Sequence, residues 1–353
     1  MSQVIYSGPG KVYFNAKSFH AQGENGQVKM TLEQKTAAVA QAELGRASET
    51  FEDVNAKISV TPFDDYSLLA TLFPKNLGVS APTLTGALKI GAYAHDASFV
   101  TSGATNTSAL VPLDVWCADG SEYFLVRGAI TKHPDIMLGA STPLFGSCEF
   151  TCIGDPTKMP GDSGYLFAAT PMSGLLEPAG SDGSANADPD ASFAWTNFVR
   201  ERWTGVYGTL SGTTITPLTG FGDVTPMESE DSWTISVNAK YSPIYVQKIL
   251  KHMKLDSVEV VAKCKLVGPT HSQILATMLA PATSRPSGSR MANQTYGLQL
   301  MSAGTSKKVT LMNCELKGAG ITTGGTNIRA GEVGFVSAYT FTSGAANPIL
   351  TFA

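Results

Sequence analysis

The chain has 353 residues, more than one hydrophobic core ordinarily fills, and 43% are hydrophobic against only 15% charged, so two cores and a sparsely charged surface are expected. A formal net charge of −4 gives no global attraction to nucleic acid, whose binding normally needs a basic face. Five scattered cysteines, Cys117, Cys148, Cys152, Cys264 and Cys314, exclude a disulfide scaffold and fit free thiols made in a reducing cytoplasm.

The start, Met1-Ser2-Gln3-Val4-Ile5-Tyr6-Ser7, lacks a basic region followed by an apolar block, so no secretory signal is expected. No apolar run approaches the roughly 18 residues of a membrane span, and no membrane partner is expected. Val4-Ile5-Tyr6, the turn Ser7-Gly8-Pro9-Gly10 and Lys11-Val12-Tyr13-Phe14 read as an extended arm leading into a first strand. After the turn Gly23-Glu24-Asn25-Gly26, residues 28–33 alternate as a half-buried strand, with Val28, Met30 and Leu32 on one face. Residues 34–50 hold no stable period and are left as a protruding hairpin or a long loop.

Ile58-Ser59-Val60 then reads as a strand running into a short helix over 61–74. Thr61 is the expected cap, Pro62 suits the first helical position, Asp64 and Asp65 face the positive end of the dipole, and Pro74 closes the helix. Residues 84–90 predict another strand, and 101–108 a polar turn. Leu113 and Val115, then Phe124-Leu125-Val126 with Ala129-Ile130, predict two antiparallel strands joined at Ala118-Asp119-Gly120-Ser121. Residues 171–192 are polar and rich in Gly, Ser, Asp and Pro, as a flexible linker is. The chain closes on a strand at 349–353.

The strand and helix recur. Ile235-Ser236-Val237 follows Ile58-Ser59-Val60 by 177 positions (235 − 58), and without a gap Tyr245, Val246, Ile249 and Leu250 fall on Leu68, Leu69, Leu72 and Phe73. Ser242-Pro243 supplies a second cap and first turn, so a second helix is expected there. Leu298 and Leu300, the turn at 303–306, and Val309 and Leu311 repeat the later hairpin at an offset of 185 or 186, which places a short insertion in 281–294. The expected organisation is a duplication: a mainly β first domain over 1–165, a linker over 166–192 and a second domain over 193–353, each with a short flanking α-helix.

Sites of chemistry are weak throughout. Gly161-Asp162-Ser163-Gly164 spells a serine-protease nucleophile signature, but Tyr165 stands where that signature continues with Gly. The upstream candidates His20, His95 and His133 do not help, His95-Asp96 lying only 68 residues before Ser163 (163 − 95). A turn is the better reading. Asp223, Glu228, Glu230 and Asp231 lack the tight, Gly-turned spacing of a hard-cation loop. Cys148 and Cys152, four apart on one strand face, suit neither a disulfide nor a zinc knuckle. Lys248, Lys251, His252 and Lys254 are expected as the basic end of the second helix rather than a phosphate site. Phe193-Ala194-Trp195 and Trp203 are expected to pack in a core or interface rather than stack on sugars. No catalytic, cofactor-binding or metal residue is assigned, no cofactor is expected, and the chain is not expected to be an enzyme.

The pattern resembles the tail tube proteins of long, non-contractile bacteriophage tails, in the version with two fused tube domains. The resemblance is carried by Gly8-Pro9-Gly10-Lys11-Val12-Tyr13-Phe14-Asn15, by Thr31-Leu32-Glu33 leading towards Gly45, by Ile58-Ser59-Val60-Thr61-Pro62 with Leu72-Phe73-Pro74, and by Leu218-Thr219-Gly220-Phe221-Gly222-Asp223-Val224. It implies tandem β-sandwich domains whose sheets join between neighbours into rings, three chains giving an approximately sixfold ring, with rings stacked into a hollow conduit for DNA ejection. It further implies a virion protein made in the host cytoplasm, other phage tail proteins at the tube ends, and DNA passing through without specific binding. The arm, the 34–50 segment and the linker are then the expected contacts between rings. A secreted or surface β-sandwich binding module for carbohydrate is the rival expectation, opposed by the start of the chain and the odd cysteine count.

Overall fold

A computed structural model describes residues 10–14, 17–22, 26–41, 45–73, 88–90, 111–116, 122–152, 162, 165, 167–168, 200–211, 214–246, 249–267, 296–312, 314–319, 322–324, 327–337, 341–342, 345–346 and 350–352. The described chain is nearly all β. Its first half forms β1 (Lys11–Phe14), β2 (Lys17–His20), β3 (Val28–Gln41), β4 (Gly45–Val60), β5 (Leu88–Ile90), β6 (Val111–Trp116), β7 (Glu122–Lys132), β8 (Ile136–Gly139), β9 (Cys148–Cys152) and β10 (Phe167–Ala168). The second half forms β11 (Trp203–Ser211), β12 (Thr214–Pro217), β13 (Met227–Glu228), β14 (Ser232–Val246), β15 (Ile249–Val267), β16 (Tyr296–Ser302), β17 (Lys308–Met312), β18 (Cys314–Ala319), β19 (Thr322–Gly324) and β20 (Asn327–Ser337). It ends with β21 (Phe341–Thr342), β22 (Ala345–Ala346) and β23 (Leu350–Phe352).

Local pattern explains the strands. In β9 the buried positions Cys148, Phe150 and Cys152 alternate with half-covered Glu149 and Thr151, the period-two signature of a strand with one face on the core. The segment 34–50, left open between hairpin and loop, is the far part of the long β3–β4 hairpin, paired from Val28↔Val60 to Gln41↔Gly45.

After β4 the chain makes a 3-10 turn over Tyr66–Leu68 that runs into a short helix, α1 (Leu69–Leu72). Leu68, Leu69, Leu72 and Phe73 are all at most 1% exposed, so the apolar spacing read from the sequence does face the core. The cap differs from expectation. The Asp65 carboxylate, not Thr61, accepts the Ser67 amide at 2.8 Å, and no acid lies in the first turn.

The second helix expected after Ile235 is absent. Ile235-Ser236-Val237 lies within β14, which runs on to Val246, and the chain reverses into β15 at Ile249 with Tyr245↔Leu250 and Val246↔Ile249 paired. Ile244, Tyr245, Val246 and Ile249 are β-branched or aromatic, and a long antiparallel partner lets them realise that preference. Pro243 is tolerated because register shifts at Lys240/Tyr241 and Ile244/Tyr245 flank it. Lys251, His252 and Lys254 are therefore strand residues of β15, not a helix end. Lys248 lies outside the described residues, as do Cys117, the 281–294 insertion, the arm before Gly10 and all of the 166–192 linker except Phe167 and Ala168.

Sheet order relates the halves. The first half is one sheet ordered β2-β1-β6-β7-β9-β4-β3, with β10 also on β7. The second half has two, β12-β11-β16-β17-β23 and β18-β20-β15-β14, and β17 and β18 are separated by Asn313 alone. Reading through that one-residue break gives β12-β11-β16-β17/β18-β20-β15-β14, strand for strand the order of the first half. β7 performs both tasks unbroken, pairing β6 between Glu122 and Gly128 and β9 between Gly128 and Lys132. Two first-half strands are built into second-half sheets: β8 extends past β14, and β5 past β23. The buried apolar residues of both halves form one continuous cluster, from Val12 to Phe352.

Candidate assembly interface

The most developed polar and steric geometry lies where the halves meet. β8 pairs with β14 antiparallel through Ile136↔Ile235, Met137↔Thr234, Leu138↔Trp233 and Gly139↔Ser232. Ile136, Leu138, Trp233 and Ile235 are all at most 1% exposed, so β8 adds an edge strand and two core side chains at once. Gly139 is required by the closeness of the two backbones. A Cβ there would stand 2.7 Å from the Ser232 Cβ and 2.8 Å from the Asp231 carbonyl oxygen.

Beside this strand pair sits a buried carboxylate. Asp64, 0% exposed, accepts the Leu144 amide at 2.7 Å and the Arg200 Nε at 2.6 Å. Arg200 is two-thirds covered, and both partners bind an acid oxygen directly, the geometry in which a charge can be held out of water. The Gln22 amide, oriented with its nitrogen to Asp64 Oδ1 and the Pro62 carbonyl and its oxygen to Arg200 Nη2, closes the group at 2.9 Å each. Lys307 from the β16–β17 turn places Nζ 4.5 Å from the centre of the Tyr66 ring. Burial lowers the Lys307 pKa, against the raising influence of Glu201 and Asp65. Phe73 reaches Phe352 of β23 at 6.2 Å and stacks on His133 at 5.6 Å, while His133 Nδ1 donates to the Leu72 carbonyl at 2.8 Å.

Glu201 organises the turn that carries Lys307. It accepts from Ser302 Oγ, from the Gly304 amide at 2.8 Å and from the Thr305 amide at 3.2 Å. Partial burial disfavours its charge, but these hydrogen bonds outweigh it and hold the carboxyl below its usual range.

The residues tested for chemistry do not converge. Asp162 is an exposed bend, and Gly161, Ser163 and Gly164 lie outside the described residues, as do His95 and the Phe193-Ala194-Trp195 group. His133 is buried against Phe73, and His20 lies half-buried at the end of β2. The acids of this run have separate partners rather than a common centre: Asp223 accepts the Gly220 amide at 2.9 Å, Glu228 pairs with Arg202 and Glu230 with Lys265. Among the described residues no three His, Cys, Asp or Glu side chains gather as a metal site. Cys148, Cys152, Cys264 and Cys314 are free and buried, and burial raises each thiol pKa, which suppresses thiolate chemistry. Trp203, 3% exposed, packs in the core as expected and offers no face for a sugar.

No family model matches the chain, and no curated protein does. Among solved structures, a chain in the tail of an empty GTA particle, obtained by helical refinement with C6 symmetry, is similar in part. It is 13% identical, with 39% of this chain and 95% of that chain covered and a TM-score of 0.25.

Sequence reading passed over the residues that make this interface. Ile136-Met137-Leu138-Gly139 carried a signal, a short apolar run after Pro134 that ends on Gly, which fits an inserted edge strand. Arg200 carried none, since its partner lies 136 positions away.

Proposed function

We propose that the chain is a non-enzymatic structural subunit of a bacteriophage tail, a tail tube protein with two fused repeats. Three chains would supply six repeats to a ring, and stacked rings a hollow conduit for DNA ejection. The observation that carries this reading is the repeated strand order, together with the way one repeat lends an edge strand to the other. A unit that extends its neighbour's sheet by β8 on β14 is built for head-to-tail continuation.

Residue matches support the duplication at a different offset from the one read first. Ala56-Lys57 in β4 corresponds to Ala262-Lys263 in β15, 206 positions on (262 − 56), and at that offset Leu69-Ala70-Thr71-Leu72 falls on Leu275-Ala276-Thr277-Met278. The low charge content, 15%, suits a surface largely covered by other copies, and a net charge of −4 suits a conduit that does not hold phosphate. Other tail proteins would meet the tube at its two ends.

Sedimentation velocity over a wide concentration range, followed by negative-stain microscopy, tests the reading. Rings or tubes of constant width are expected. A single monomeric species at every concentration, or specific binding to glycans, would contradict it.

A further inference from the structure

We infer that β3 of one copy is completed by β19 of a second copy, in the register that β8 adopts on β14 within the chain. The inference rests on the proposed self-assembly and adds the strands and residues through which it occurs.

The argument begins from the two long hairpins. Ala56 pairs with Leu32 and Lys57 with Thr31, while their counterparts Ala262 and Lys263 pair with Ile235 and Thr234. Leu32 therefore corresponds to Ile235, Thr31 to Thr234, Met30 to Trp233 and Lys29 to Ser232. Those four residues of β14 are the ones that receive β8. Their four counterparts on β3 receive nothing among the described residues, because β3 is the last strand of its sheet. The contrast in burial is direct. Ile235 is 0% exposed and Leu32 is 53% exposed, and Val39 further along the same strand is 44% exposed. A long edge strand displaying apolar side chains is a site for strand addition.

The occupant is identified by the same correspondence. β8 follows β7 and folds back through the bridge Ile136↔Phe145; β19 follows β18 and folds back onto β20 through Thr322↔Ala330. Both end on glycine at an offset of 185 (324 − 139), with Ile-Met-Leu-Gly at 136–139 and Ile-Thr-Thr-Gly at 321–324. Gly139 is needed because Ser232 and the Asp231 carbonyl of the β14 side lie against it, and a glycine also stands at the matching position 324. Within its own half, β14 is already taken by β8, so β19 has no vacant counterpart edge there. Transferring the register gives Gly324↔Lys29, Thr323↔Met30 and Thr322↔Thr31 between copies, antiparallel. Such a contact is heterologous: each copy offers one edge and receives another, which propagates into a ring when the rotation closes.

The test uses the full-length chain carrying Met30→Cys and Thr323→Cys. Directly opposed Cβ atoms in an antiparallel pair stand about 4.5–5.5 Å apart, close enough for oxidation to join them with small adjustment. Mild oxidation of the assembled double variant should give a ladder of covalently joined chains, and each single variant should give none above wild type. Tubes or rings by microscopy without that ladder would overturn the strand assignment while leaving the tube reading standing; a monomer at every concentration would overturn both. The variant Leu32→Lys gives an independent readout, since Leu32 is exposed in the single chain. Its thermal midpoint as a monomer should match wild type and its critical concentration for assembly should rise by about tenfold or more. Assembly at the wild-type concentration would overturn the inference.

Discussion

Asp64 shows how a side chain can be visible in the sequence while its role is not. An acid three positions after a Thr and two after a Pro satisfies the local rule for a helix start, but its carboxylate turns inward to Leu144 and Arg200 instead. Removing it by Asp64→Ala would leave the Leu144 amide without its acceptor and Arg200 without its counter-charge. We expect a loss of about 2–3 kcal/mol, moderated because Arg200 still reaches water. Urea unfolding measures it, and a loss under about 0.5 kcal/mol would show that the carboxylate is not needed. His133 gives a pH signature. Burial holds its pKa down at about 4, against the raising effect of its hydrogen bond to Leu72, whereas the unfolded group titrates near 6.5. The folded state therefore favours neutral imidazole. That contribution is fully present above pH 6.5 and is lost as the pH falls towards 4, by up to about 3 kcal/mol. Unfolding series over that window should show a steeper decline for the wild type than for His133→Phe, and parallel curves would refute it.

At the scale of elements, what could be read from the sequence followed period and length. The two hairpins around 118–121 and 303–306 were legible because apolar alternation and turn residues are local, and β6–β7 and β16–β17 form as expected. The second helix failed because Tyr245, Val246, Ile249 and Leu250 fit a helical spacing as well as a strand, and only the partner strand β15 decides between them. The strand orders set β4 beside β15 rather than β14, a match that Ala56-Lys57 against Ala262-Lys263 also carries, but Ile58-Ser59-Val60 and four apolar positions at 177 concealed it. The short apolar run of β8 fits an edge strand, but where it pairs was illegible, because its place depends on β14 far along the chain. Glycines at backbone contacts give the prediction at this scale. A Cβ at residue 208 would stand 1.9 Å from the Thr216 carbonyl oxygen, and one at 139 only 2.7 Å from Ser232. Gly208→Ala should open the β11–β12 hairpin, and Gly139→Ala should loosen β8 from β14 at a cost of about 1–3 kcal/mol. Hydrogen exchange would locate each effect. In Gly139→Ala, amides of Ser232 and Thr234 should lose protection before those of β15, and uniform protection would contradict the close-contact argument.

For the whole molecule, a mainly β class and its sparse surface charge were readable from composition, whereas the joining of the halves was not, because it depends on pairings between β5 and β23 and between β8 and β14. Those pairings make one continuous core of two like-ordered units, and they leave the first unit's β3 open where the second unit's β14 is closed. On the proposed reading, that open edge is where a further copy adds. The most direct measurement is electron microscopy of the concentrated wild-type protein with averaging of end-on particles. Hollow rings showing six similar lobes that repeat as three alternating pairs are the expected result. Isolated single chains, or closed two-copy particles with no lumen, would contradict a two-repeat tail tube subunit.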